Sequence, residues 1–164
     1  MSSESPGTEL NVRIGKSSAN WTPVFQRNGA HAPWHHVLSQ IIAVIGDKPD
    51  SIRFADSLIP NSANLDTLTL DLVIYTDDLM LRSTMTAGAV PELSVFNRRE
   101  LSGITVLEVP VITFEDPYAA SSSTRVRLTY PTLELVLPLS QSNRSRGDEV
   151  HGLLPSLVAD LTAV

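Results

Sequence analysis

The sequence predicts an α+β fold: an antiparallel, partly open β-barrel or strongly bent sheet, with one helix before it and one C-terminal helix. Three observations carry this. Apolar residues recur at helical spacing over residues 34–45 and again over 149–164. Between those stretches the apolar period is two. The strands alternate apolar with polar residues instead of running apolar throughout, as antiparallel strands with one covered face do. With 164 residues and 42% hydrophobic content, the chain is long enough to bury a core without staples.

Residues 1–20 are polar and rich in serine, and read as a mobile N-terminal tail. Residues 21–164 read as a single globular domain. Within the tail, Leu10, Val12 and Ile14 alternate with Asn11 and Arg13, the pattern of a short strand. The first strong element covers 34–45, where Trp34, Val37, Leu38, Ile41, Ile42 and Ile45 make one broad apolar face. Pro33 suits the first helical position, and Gly46 sits where the helix stops. Burying such a side chain is worth roughly 1.5–3 kcal/mol, so this face is expected to pack on the sheet.

Strands follow in order. Ile52 and Phe54 alternate with Arg53. Leu68, Leu70, Leu72 and Ile74 share one face, and Thr69, Asp71, Val73 and Tyr75 the other. Thr76-Asp77-Asp78 is a turn signal, and Leu79 and Leu81 resume the apolar face, giving a hairpin over 67–87. Further strands are expected over 93–96, 104–109 and, after a bend at Pro110, 111–114. Residues 115–123 read as a loop, 125–130 and 133–137 as strands, and 140–148 as a polar loop. Pro131 between the last two strands suggests a sheet edge or a bulge, so 126–137 is the expected edge for strand addition. In the C-terminal stretch Pro155 fits a first turn, which places the regular helix from about Leu154 onward.

One resemblance arises over 72–109. The segments LVIYTDDLMLRSTM, LSVFNRREL and SGITVLEV give a strand ending in Thr-Asp, a hairpin, a returning strand, and a strand that breaks into a short turn before the next. This resembles the pleckstrin-homology-like superfold, in particular its GRAM-like bacterial branches. The resemblance implies a binding module without catalysis, whose C-terminal helix plugs one end of the barrel. Lipid-binding members use basic residues in a loop between early strands. The nearest turn here carries Asp77 and Asp78, which argues against phosphoinositides.

Composition excludes several classes. No cysteine means no disulfide framework, thiol nucleophile or cysteine-ligated metal. A net charge of −6 argues against nucleic acid, which needs a basic footprint. Aromatics at 5% offer no stacking platform for single strands. No secretory signal or membrane-spanning run is visible, so a cytoplasmic location is expected.

The candidate sites are few. His31, His35 and His36 cluster near the start of the first helix; His31 and His35 are four apart, but Pro33 places His31 at or before the helix start and off their common face, so no metal is expected. Asp77 and Asp78 sit at a hairpin tip, where turn chemistry accounts for them. Arg98, Arg99, Arg125 and Arg127 are the candidate partner- or anion-contacting residues, because converging guanidinium groups clamp carboxylate or phosphate. Otherwise these arginines are surface charge paired with Glu134 or Glu92. No nucleophile elbow or phosphate-cradling glycine loop occurs, so no enzyme and no cofactor is expected. The expected function is a non-enzymatic protein-binding or assembly module, with a protein partner or self-association. The alternatives are a carrier of a small apolar ligand in a barrel cavity and a structural subunit of a larger assembly.

Overall fold

The structure, a computed structural model, describes residues 7–17, 31–60, 68–109, 124–140 and 144–163. It is α+β. Helices α1 (Thr8–Gly15) and α2 (His31–Ile45) precede strands β1 (Phe54–Leu58), β2 (Thr69–Tyr75), β3 (Leu79–Thr86) and β4 (Glu92–Asn97). Strands β5 (Gly103–Glu108), β6 (Arg125–Tyr130) and β7 (Leu133–Leu137) follow, then helix α3 (Arg144–Thr162). The strands form two antiparallel sheets, of order β1-β2-β3-β4 and β5-β6-β7. No closed barrel exists among the described residues. A 3-10 turn at Arg98–Glu100, whose first free N–H is accepted by the Asn97 side chain, ends β4 before β5 begins in the other sheet. The chain divides into two compact units, one within residues 1–95 and one within 96–164.

In the first unit, the two helices cover one face of the sheet. Leu10 and Ile14 of α1 and Trp34, Val37 and Ile41 of α2 join Ala55, Leu70, Leu72, Ile74, Leu81 and Met85 in one core cluster. The expected packing of the Trp34 face is therefore present, with Leu38, Ile42 and Ile45 half-buried at its rim. Gly46 ends α2 at φ +72°, and its N–H reaches Ile42 O at 2.8 Å, a left-handed C-terminal cap. The helix begins earlier than Trp34 and takes Pro33 into its first turn, where the missing N–H has no partner to lose.

Helix α1 corrects the reading of 1–20 as tail with a short strand. Its Leu10 and Ile14, four apart, are fully buried. Polar bonds fix it at several points. Gly7 N–H donates to Asp47 Oδ2 at 2.9 Å, and Trp34 Nε1 donates to Asn11 Oδ1 at 2.7 Å. Ser17 and Ser57 hydroxyls meet at 2.7 Å in a buried pair, and Arg13 donates to Ile52 O. Gly7 has φ +85°, where a side chain would be strained, and a Cβ there would lie 2.9 Å from Ile42 Cδ1.

The expected β2–β3 hairpin is present, with Tyr75 opposite Met80 and Ile74 opposite Leu81. Its second face is less polar than the alternation suggests: Phe54, Val73, Tyr75 and Met80 are buried too. Phe54 and Tyr75 pack with tilted rings, centroids 6.3 Å apart.

In the second unit, α3 packs on β6, and Val126, Leu128, Tyr130, Leu135, Leu137, Val150, Leu153 and Leu157 are buried. Two sequence expectations are corrected here. Strand β6 is central, and Pro131 lies in the β6–β7 turn, so 126–137 is not one edge. Helix α3 starts ten residues before Leu154 and carries Pro155 inside it. Pro155 is exposed, as are His151 and Gly152 one turn earlier, so water can reach the carbonyl that the proline leaves without a donor. The suggested strand over 111–114 lies outside the described residues.

Candidate functional site

The four candidate arginines are placed in two different settings. Arg98 is 3% exposed. Its Nε and Nη2 donate to Asp160 Oδ2 at 2.8 and 2.6 Å, and Nη2 also donates to Ser156 Oγ at 2.6 Å. This guanidinium holds the 3-10 turn to α3. Arg99, next to it, is exposed, and its backbone N–H caps onto Asn97 Oδ1. Arg125 and Arg127 share the face of β6 opposite its buried Val126, Leu128 and Tyr130. Since α3 covers the buried face, Arg98 does not join them. Arg127 Nε lies 3.2 Å from Glu134 Oε1, and Arg125 Nη1 lies 3.9 Å from Glu108 Oε1. Both glutamates are more than half exposed, which makes these weak surface pairs on an outer sheet face.

The remaining candidates are also accounted for. Asp77 accepts a bidentate pair from Arg53, at 2.7 and 2.8 Å. That hydrogen bond first, and the Asp77 charge second, raises the Arg53 pKa above its ordinary value. Arg82 makes a similar fork to Asp71, and its pKa is raised for the same first reason. His35 and His36 are exposed on α2 and line, with Ser39, Gln40 and Ala43, an open hollow of about 440 Å³. Among the described residues no three His, Asp or Glu side chains are grouped to hold a metal ion. Among the same residues no helix is long and apolar enough to cross a membrane.

What distinguishes the molecule is how its sheet edges are treated. An exposed strand edge offers unpaired N–H and C=O groups, and proteins blunt such edges by cover, bulges, prolines or lysines. Edge strand β1 is covered: residues 54 to 57 are all buried, and Ser57 bonds Ser17 next to α1. Edge strand β5 carries a register shift between Val106 and Glu108. Edge strand β7 has five residues, with Pro131 shortly before it and Pro138 immediately after. Strand β4 lies at the other edge of the four-stranded sheet, with Pro91 immediately before it. Its six residues, ELSVFN, include no lysine and no proline. Glu92, Ser94, Val95 and Asn97 are exposed, Val95 by 46%. Leu93 is half-buried against the core of the first unit, and Phe96 packs on Tyr130 with ring centroids 5.8 Å apart.

The chain matches no protein family, no curated protein and no solved structure. Over 93–96 the sequence marks β4 as a strand but not as the last strand of its sheet. Its signal was a strand lacking both lysine and proline, which carries information only once the sheet order is known.

Proposed function

We propose that this chain is a non-enzymatic protein-recognition module of PH-like architecture, which takes an extended segment of a protein partner as an added strand on β4. The terminal place of β4 in its sheet, with neither lysine nor proline within the strand, carries this reading. Strand addition draws affinity from main-chain hydrogen bonds and specificity from alternate side chains. Here the alternate positions are Leu93 and Val95 on one face and Glu92, Ser94 and Phe96 on the other. The PH-like part is supported by the order of elements over 72–109, namely strand, Thr-Asp turn, returning strand, then a strand broken by a short turn. A C-terminal helix following the last strand is in keeping with it. The net charge of −6 favours a protein partner over nucleic acid.

The test is selection of short peptides from a displayed random library on the immobilised full chain. The expected result is enrichment of segments that alternate β-branched and polar residues. Val95→Asp should weaken their binding at least about tenfold while leaving the far-UV circular dichroism unchanged, since a charge would face the apolar side of the added strand. Enriched peptides that bind Val95→Asp as well as the original chain would overturn the proposal. So would the absence of any enrichment.

A further inference from the structure

We infer that Arg125 and Arg127, on the outer face of β6, hold a phosphate group between their guanidinium ends. This site lies wholly in the second unit and is independent of the reading of β4.

The two arginines are two positions apart on one strand, so their stems leave the same face roughly 7 Å apart. Arg127 has Thr105 of β5 on one side and Val136 of β7 on the other. Thr105 and Glu134 are exposed, and the arginine side chains keep 26% and 43% of their surface in water. A small solute can therefore reach this face.

The hydrogen bonding of the pair is incomplete. The Nε of each guanidinium is buried and donates to no acceptor. The neighbouring carboxylates do not serve them. Glu108 Oε1 stands 3.9 Å from Arg125 Nη1, beyond hydrogen-bond reach. Glu134 Oε1 is 3.2 Å from Arg127 Nε but out of line with its N–H. An unmade buried donor is costly, and more so on a charged group. Such an atom in a folded protein calls for a water or an ion beside it. Two of them on adjacent cations call for an anion.

The chemistry of the anion follows from what it must displace. Glu108 and Glu134 are tethered beside the arginines, at an effective concentration that a free monocarboxylate does not match. A phosphate group carries up to twice the charge and has three strong acceptor oxygens. One such group can take a fork from each arginine, and the Thr105 hydroxyl is a further donor beside Arg127. The chain's net charge of −6 opposes a dianion, so the affinity is modest.

The test is titration of the isotopically labelled full chain with sodium phosphate, read from the arginine Nε–H resonances, with sodium chloride at matched ionic strength as reference. The Arg125 and Arg127 resonances should shift saturably in the millimolar range. That of Arg53, already forked on Asp77, should not. Sodium acetate should shift none of them. Arg125→Gln and Arg127→Gln should each weaken phosphate binding at least about tenfold, with unchanged far-UV circular dichroism. Arg127→Lys keeps the charge but loses the fork, and should fall between. Glu134→Gln should strengthen binding by removing a competitor. Asp78→Asn, the same charge change at the exposed turn of the first unit, should leave it unaltered.

O-phosphoserine in place of phosphate separates the sources. Tighter binding of the monoester marks a phosphorylated ligand, and binding of phosphate alone marks the free anion. Absence of a saturable shift, an equal shift with acetate, or binding that survives both glutamine substitutions overturns the proposal. Should a glutamine variant unfold, the comparison of Glu134→Gln with Asp78→Asn decides: equal affinity in the two overturns it.

Discussion

The two compact units solve the burial of polar groups differently. In the first, the buried polar groups are mostly neutral or lie beside the apolar cluster: Ser17 with Ser57, Trp34 Nε1 to Asn11, Gln40 Nε2 to Pro91 O, and the carboxylate of Asp56, 1% exposed on β1. Its exposed ion pair, Arg53 with Asp77, leaves more than half of each side chain in water. In the second, a guanidinium is itself a packed element, with Arg98 and Asp160 side chains exposed by 4% and 16%. The same chemical pair thus has two meanings. At the surface it adds little, because water competes for both partners. In the interior its removal is costly, because the remaining charge has lost its solvent as well as its partner.

Three substitutions sharpen that contrast, from the largest effect down. Trp34→Ala should destabilise the first unit by about 3–5 kcal/mol, since a fully packed indole leaves a cavity and an unpaired Asn11. Urea unfolding measures it, and a loss under about 1 kcal/mol would mean the α2 face is not the keystone of that core. Arg98→Leu should cost about 3 kcal/mol by stranding Asp160. Adding Asp160→Leu should recover most of that loss, because an apolar pair of similar volume carries no desolvation cost. A double variant as unstable as the single one would show that Arg98 contributes shape rather than charge. Arg53→Ala should leave the thermal midpoint unchanged. A clear drop there would erase the distinction between the two settings.

The sequence made the local parts of this fold legible. The α2 face and the β2–β3 hairpin were plain because their periods repeat over many residues and their stop signals, Gly46 and Thr76-Asp77, lie beside them. Helix α1 was hidden because eight residues with two buried positions give too short a pattern. The start of α3 was hidden because Arg146, though buried and ion-paired to Glu149, reads as loop polarity. Arg98 looked like surface charge because its carboxylate partner is 62 residues away. The terminal place of β4 in its sheet belongs to the same class, since a strand cannot announce its neighbours. Whether it lies at the centre or the edge is set by sheet order, a non-local property.

The anchoring of α1 has a consequence for the order of events during synthesis. An isolated helix shorter than about 12–15 residues is marginal in water, and α1 has eight. Its hydrogen-bond partners Trp34, Asp47, Ile52 and Ser57 lie 23 to 40 residues further along the chain. Helix α1 leaves the ribosome before these partners and is therefore among the later elements of its unit to settle. It must wait, unfolded, until β1 has emerged and can close the loop.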